Sequence, residues 1–158
     1  MLDMLVNLYG LSEHGDLLKE LSAKGISIKR VLSPDRKKVL DFVQEHFSAV
    51  WVSESEAAFS NQPISCFVAV KEKEIAGFAC FDATAKGFFG PTGVKETERG
   101  HRIGEALLKV TLAAMRESGY GYAVIGWCGG AQRFYEKAVG ATAIPESGKS
   151  VYSRLVNQ

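Results

Sequence analysis

The sequence has few cysteines and no excess of either charge. Cys66, Cys80 and Cys128 are the only three cysteines among 158 residues, they form no C-x-x-C pair, and no histidine stands at a zinc-ligand spacing. A disulfide framework and a metal site are therefore not expected. Nineteen Lys and Arg residues against eighteen Asp and Glu residues give a net charge of +1. We therefore expect no general attraction to nucleic acid or to an anionic membrane, and any anion site must be local.

No stretch of the chain is long and apolar enough to predict a membrane-spanning helix. The longest uncharged run, Ser118 to Gln132, contains several glycines and falls short of the roughly 18 apolar residues that such a helix needs. The first residues also lack the basic region that opens a secretory signal peptide. We therefore expect a cytoplasmic protein, and its length fits one compact domain.

The pattern of apolar residues predicts a mixture of helices and strands in the α/β (α+β) class. We expect these helices and strands to form an α/β sandwich around a mostly antiparallel sheet. We interpret residues 1–25 as a helical extension packed on a domain formed by residues 26–158, an extension that could also contact a partner or the second subunit of a homodimer. Helices are predicted over about Glu13–Lys24, after Ser33-Pro34-Asp35, over Ser53–Ser60, from Ile103 to Gly119 and over Ala131–Val139; strands are predicted over Ile26–Val31, Ile64–Val70, Ile75–Phe81, Gly87–Val94, Tyr120–Trp127 and Val151–Val156.

The segment from Gly93 to Leu108 joins a predicted strand to the strongest predicted helix. Gly100 and Gly104 remove side-chain bulk at the turn, so backbone N–H groups could converge on a bound anion at the helix N-terminus. The alternative is a tight turn with solvated basic residues. The chain has no G-x-G-x-x-G fingerprint and no P-loop, which disfavours nucleotide hydrolysis. The basic residues close to this turn are Lys95, Arg99, His101 and Arg102.

This segment resembles the acyl-CoA-binding signature of the GCN5-related N-acetyltransferases (the GNAT superfamily). That signature reads Gln or Arg, two residues, Gly, any residue, and then Gly or Ala. Arg99, Ile103 and Gly104 fit it, and Gly100 fits the frequent Arg-Gly start. Arg102 stands where the first patterned glycine usually lies, so it must adopt a backbone conformation that glycine would find easier.

The resemblance extends over roughly Ile26 to Leu155. Phe134 to Lys137, followed by Gly140, is similar to the family segment F-Y-E-K-x-G-F, with one extra residue and with Ala141 in place of the final aromatic residue. A proline within a strand removes a ladder donor, so Pro91 predicts a bulge or an edge position. In the family, the fourth and fifth strands splay apart and the pantetheine arm of acetyl-CoA lies between them, which here corresponds to Gly87–Val94 and Tyr120–Trp127.

The resemblance implies an N-acetyltransferase with helices on both faces of the sheet. It would move an acetyl group from acetyl-CoA, without a metal, to a primary amine of an unidentified small molecule or peptide, by direct attack in a ternary complex. The alternatives are a non-catalytic module that binds acyl-CoA and regulates a partner, and a structural interaction domain. The implied acetyl-CoA-binding residues are Val94, Arg99, Gly100, His101, Arg102, Ile103, Gly104, Glu105 and Phe134.

Acetyl transfer needs a base, a contact for the oxyanion and an acid for the departing thiolate. The resemblance assigns the acid to Tyr135, whose alternative role is that of a half-buried aromatic residue, and a backbone N–H at Val94 could contact the oxyanion. Glu54 is the candidate base that we name, with Glu56 and Asp82 as other carboxylates near the acceptor side. Trp51 could pack on the acceptor or close the core. A covalent route through Cys128 is disfavoured, because buried cysteines usually pack as apolar residues.

Overall fold

The computed structural model describes residues 1–158, and a single seven-stranded sheet forms its centre. In chain order the strands are β1 (Met4–Asn7), β2 (Ile26–Arg30), β3 (Cys66–Lys71), β4 (Glu74–Phe81), β5 (Phe88–Val94), β6 (Tyr122–Ile125) and β7 (Thr142–Ala143). Their order across the sheet is β2-β3-β4-β5-β6-β1-β7. Every neighbouring pair is antiparallel except β5 and β6, which are parallel.

Five α-helices accompany the sheet. They are α1 (Gly15–Ala23), α2 (Arg36–His46), α3 (Ala49–Ala58), α4 (Ile103–Glu117) and α5 (Gln132–Val139). Ser33 to Asp35 forms a 3-10 turn with its proline in the first turn, and this leads directly into α2. None of these helices has the length and apolar character to cross a bilayer.

Two apolar clusters lie on opposite faces of the sheet. Along β3, Phe67 belongs to one cluster and its neighbours Cys66 and Val68 to the other, as expected for side chains that alternate between faces. Residues of α1 and α4 complete the first cluster, whereas α2 and α3 complete the second. The predicted fold class is therefore confirmed: a mostly antiparallel mixed sheet with helices on both faces.

The structure corrects the predicted start of α3. We predicted a helix over Ser53–Ser60, but α3 begins at Ala49, and Ser48 is its cap, with the Ser48 hydroxyl accepting a hydrogen bond from the Trp51 backbone N–H at 3.2 Å. Ser48 has the extended backbone of a helix cap, so the helix starts four residues before the predicted start.

The chain ends are also corrected. Residues 1–25 are not a purely helical extension, because β1 lies within the sheet, paired with both β6 and β7, and Met4 and Val6 are fully buried. The predicted strand over Val151–Val156 is wrong, since Val151–Arg154 forms a 3-10 turn. Both errors have one cause: β1 occupies the edge of β6 that a strand from the carboxyl-terminal end would otherwise pair with.

Candidate active site

The sheet opens between β5 and β6. These strands pair at only two positions, Phe88 with Val124 and Phe89 with Ile125. Beyond Phe89 the register of β5 against β4 also shifts, and Pro91, which has no N–H to give to a ladder, lies in the shifted stretch. The predicted bulge and the predicted splay of the fourth and fifth strands, here β5 and β6, are both present. We call the opening beyond Phe89 the strand gap.

Val94 presents its backbone to the strand gap. The Lys95 N–H donates to the Ala76 carbonyl of the neighbouring chain segment at 2.8 Å. Because hydrogen-bonded and non-bonded positions alternate along an antiparallel pair, the polar groups of the preceding residue, Val94, point away from β4. The Val94 carbonyl accepts a hydrogen bond from the Arg99 Nε at 3.2 Å. The Val94 N–H is thus directed to the side where an extended ligand would lie.

The turn before α4 carries a run of unpaired donors. None of the six consecutive backbone N–H groups from Gly100 to Glu105 donates a hydrogen bond to a protein acceptor. The first turn of any helix leaves such donors free, and here the turn before it adds three more. Arg102, the residue before α4, has a left-handed backbone with φ of 65°, as the glycine of the family signature would suggest, and no side chain caps the helix. The segment is suited to an anion.

Among the four basic residues of the predicted group, only Arg102 forms ion pairs with carboxylates. Arg102 pairs with Glu20 of α1 at 3.0 Å and with Glu105 one turn further on. Lys109 lies 3.8 Å from Glu105. Because the Arg102 guanidinium is already paired twice, the donors left for an anion are the backbone N–H groups and the Arg99 guanidinium, which pairs with no carboxylate.

A cavity of about 600 Å³ lies against this turn, and we call it the loop cavity. Eight of the nine predicted acetyl-CoA-binding residues line it; the exception is the exposed His101. A Cβ built on Gly104 would lie 3.6 Å from Val94 Cγ2 and 3.9 Å from Phe134 Cζ, both of them lining atoms. The glycine therefore keeps the floor of the loop cavity open. Lys95 of the predicted basic group also lies outside the lining.

A second cavity, of about 500 Å³, adjoins the first, and we call it the aromatic cavity. Thr92 and Ala131 line both cavities, so the two meet at the strand gap. The aromatic cavity contains both predicted proton-transfer side chains, Glu54 and Tyr135. The arrangement joins an end with unpaired backbone amides, an extended strand and a chamber that holds a carboxyl group and a phenol.

Tyr135 is buried on α5 and reaches the aromatic cavity. It packs edge-on against Phe89 and Phe134, with ring centroids 6.3 and 5.1 Å away. Its hydroxyl makes no hydrogen bond to another protein group. Burial, followed by the neighbouring Cys128 and Tyr152, raises the pKa of the Tyr135 phenol well above its usual value. The phenol therefore stays protonated at neutral pH and can donate its proton.

Glu54 lies half-buried on α3. Burial raises the pKa of its carboxyl, and a hydrogen bond accepted from the Thr84 hydroxyl at 2.8 Å partly offsets that rise. A carboxylate with a raised pKa is a stronger base than a solvated one, and the hydrogen bond from Thr84 fixes its direction.

The other candidate carboxylates are engaged elsewhere. Glu56 is exposed and lies 3.6 Å from the Arg36 guanidinium. Asp82 accepts hydrogen bonds from the Gly87 N–H at 2.7 Å and from the Tyr120 hydroxyl at 2.9 Å, which holds the loop between β4 and β5. Neither residue lines the aromatic cavity.

Trp51 and Cys128 both border the aromatic cavity. Trp51 also stacks on Phe47, with ring centroids 5.2 Å apart, so it serves the core and the cavity wall together. Cys128 is buried, donates its S–H to the Ile125 carbonyl at 3.3 Å, and has a pKa raised to about 11 by its burial. A thiol that stays protonated is a poor nucleophile, which agrees with the interpretation against a covalent route.

Sequence reasoning missed the contribution of the chain ends to the aromatic cavity. Tyr152 and Leu155 line it, and Tyr152 stacks on Trp127 with ring centroids 4.8 Å apart. Asp3 holds this arrangement, because its carboxylate accepts hydrogen bonds from the backbone N–H of Trp127 at 2.9 Å and from the Ser150 hydroxyl at 2.6 Å. These contacts join residues more than 120 positions apart, and no local pattern signals them.

The structure contains no group of three or more His, Cys, Asp or Glu side chains that could hold a metal ion. The loop cavity offers backbone amides beside charged side chains, whereas the aromatic cavity offers one carboxylate, two phenols and mostly apolar walls.

The comparisons with known proteins agree with the resemblance that the sequence suggested. The sequence model of the acetyltransferase (GNAT) family matches residues 35–141. Because this match covers more than half of the 158 residues, the chain belongs to the GNAT acetyltransferase family. No curated protein matches the chain significantly.

Solved structures share the fold. The GCN5-related glucosamine N-acetyltransferase region of a fungal multi-domain GH3 β-N-acetylglucosaminidase superposes with a TM-score of 0.73 at 13% identity, over 90% of this chain and 19% of that one. A GCN5-related N-acetyltransferase from Sphaerobacter thermophilus superposes with a TM-score of 0.69 at 23% identity, over 90% of this chain and 48% of that one. A GCN5-related N-acetyltransferase from Kribbella flavida superposes with a TM-score of 0.56 at 14% identity, over 90% of this chain and 53% of that one. The chain thus spans between about a fifth and a half of these relatives' lengths.

Proposed function

We propose that this chain is an N-acetyltransferase that moves an acetyl group from acetyl-CoA to a primary amine, by direct attack in a ternary complex. The observation that supports this most is the run of N–H groups from Gly100 to Glu105 that have no protein acceptor and border the loop cavity. A diphosphate is the ligand that best matches consecutive amides at a helix N-terminus. The structures that share the fold do not identify the acceptor, because the region named for glucosamine is only 13% identical to this chain.

The residues present fit the diphosphate, the pantetheine arm and the thioester of acetyl-CoA. Amides of the turn before α4 would hold the diphosphate, and the pantetheine arm would lie along β5 in the strand gap, with its thioester end facing the Val94 N–H. Phe134, about 40% exposed on the wall of the loop cavity, offers an apolar surface beside that arm. The thioester end would then reach the junction of the two cavities, next to Thr92 and Ala131.

Glu54 and Tyr135 then divide the proton transfers. Glu54 accepts a proton from the substrate ammonium, and the free amine attacks the thioester carbonyl carbon. As the C–N bond forms and the C–S bond breaks, Tyr135 gives its proton to the departing thiolate. The second proton lost from the nitrogen returns to the Tyr135 oxygen through water, and Glu54 releases its own proton to solvent. The Val94 N–H stabilises the negative oxygen of the intermediate.

A thermal-shift series with acetyl-CoA, CoA, ATP and NAD, followed by thiol-release assays, tests the proposal. Acetyl-CoA at 100 times its dissociation constant should stabilise the native state by about 2.7 kcal/mol, whereas ATP and NAD should give much less. A primary amine should then release free CoA at a rate above that of hydrolysis. The absence of a selective response to CoA species would contradict the proposal. Selective binding without thiol release for any amine would favour a non-catalytic acyl-CoA-binding module.

A further inference from the structure

The walls of the aromatic cavity are unusually rich in rings. Five aromatic side chains, contributed by α3, β5, α5, the end of β6 and the carboxyl-terminal segment, surround about 500 Å³. Trp127 and Tyr152 pack on one another at an interplanar angle of 34°. Aromatic side chains that line a cavity offer their faces and edges to an aromatic group of a ligand. The five residues are Trp51, Phe89, Trp127, Tyr135 and Tyr152.

The same cavity holds a single charged side chain. Glu54 is the only Asp, Glu, Lys or Arg residue among the residues that line it. Its carboxylate is directed by the hydrogen bond from Thr84. One carboxylate balances one ammonium group, and a second positive charge on the ligand would be placed against apolar walls without a counter-charge.

The mouth of the aromatic cavity is apolar as well. Met1, Val50 and Leu155 line it and are 73%, 65% and 50% exposed. Exposed large apolar side chains that gather at one opening indicate a site for an apolar group. A sugar would bring several hydroxyl groups into this environment, where few polar partners could replace their water.

We propose that the acceptor is a small aromatic amine, with one ammonium group carried on a short chain from an aromatic ring and with no second charge. This inference rests on the proposed acetyl transfer. The ring would lie between the aromatic walls and the ammonium would face Glu54. Ring faces near a cation add a favourable cation–π contact.

Steady-state thiol release with matched probe amines tests this inference. The probes are 2-phenylethylamine, spermidine, glucosamine and a short peptide with a free amino terminus, each measured at saturating acetyl-CoA. We expect kcat/KM for 2-phenylethylamine to exceed that for spermidine and for glucosamine by at least about 10-fold, the discrimination that apolar pockets reach. Equal or higher kcat/KM for spermidine, glucosamine or the peptide overturns the inference.

A pair of variants at exposed leucines adds a control. Leu155→Lys introduces a positive charge at the mouth of the aromatic cavity, whereas Leu32→Lys makes the same change at a 70% exposed leucine that does not line it. Both sites are exposed, so neither change should unfold the protein. We expect Leu155→Lys to lower kcat/KM for 2-phenylethylamine about 5- to 10-fold. Leu32→Lys should leave it unchanged, and equal effects of the two variants would count against the placement of the amine.

Calorimetric titration with acetyl-CoA alone separates the two proposals. If acetyl-CoA does not bind, the proposed acetyl transfer fails. If acetyl-CoA binds and another amine class is acetylated, the transfer stands and only the aromatic amine is wrong. If acetyl-CoA binds and 2-phenylethylamine releases no thiol, the inference about the acceptor is also overturned.

Discussion

Gly104→Val should separate acetyl-CoA affinity from stability. Gly104 is the second residue of α4, and a Cβ there meets Val94 and Phe134 only at ordinary contact distances of 3.6 and 3.9 Å. The structure therefore has room for a Cβ, and valine has a better helix propensity than glycine by a few tenths of a kcal/mol. The free energy of unfolding should stay the same or rise slightly.

The affinity should move in the opposite direction. The valine methyl groups would project into the loop cavity and keep a bound anion away from the Gly104 N–H. Losing one hydrogen bond to a charged group is worth about 1.5 to 3 kcal/mol, which corresponds to an increase of about 10- to 150-fold in the Kd for acetyl-CoA. Isothermal titration calorimetry measures the Kd, and urea unfolding measures the stability.

Gly15→Val is the matched control for this variant. Gly15 begins α1, its Cβ would meet nothing within 4 Å, and it does not line the loop cavity. The control should leave the Kd for acetyl-CoA unchanged. If Gly104→Val binds acetyl-CoA within twofold of the parent protein, or if Gly15→Val weakens binding equally, the role of the Gly104 amide is refuted.

Three further predictions concern single residues. Because Arg102 has a left-handed backbone, Arg102→Gly should be more stable in urea than Arg102→Ala by about 0.5 to 1 kcal/mol. This difference is the cost of a left-handed alanine minus the extra conformational entropy that glycine loses on folding. Equal stabilities of the two variants would contradict this prediction. Tyr135→Phe should lower kcat by about 100-fold or more with an unchanged Kd for acetyl-CoA, and an unaltered kcat would remove Tyr135 from the mechanism. The Glu54 carboxyl must be ionised to act as the base, so kcat/KM should fall as the pH drops through its raised pKa. Glu54→Gln should abolish that acid limb in a pH–rate profile, and a limb that persists would assign the base to another group.

Local patterns were sufficient to predict the elements that build the loop cavity. Ile103, Leu107 and Val110 recur at helical spacing, and Gly100 and Gly104 mark the turn before them, so the strand, turn and helix all follow from neighbouring residues. The same local logic correctly required an unusual backbone at Arg102, which has φ of 65°.

Contacts between distant segments could not be predicted in this way. The pairing of Arg102 with Glu20 joins residues 82 positions apart, so the sequence does not reveal that this member of the expected basic group is compensated by a distant carboxylate. β1 has only four residues, too few for a clear alternation, and its place in the sheet depends on the open edge of β6. Because β1 holds that edge, the segment Val151–Arg154 lies outside the sheet, and its Tyr152 forms a wall of the aromatic cavity.

Amide chemical shifts measured during an acetyl-CoA titration test the central claim most directly. In 1H–15N spectra, the amide signals of Gly100 to Glu105 should move downfield together as their N–H groups acquire an acceptor, and the shifts should saturate with the Kd found by calorimetry. If acetyl-CoA binds while these six signals stay in place and signals elsewhere move, the diphosphate lies at another site and the account is contradicted.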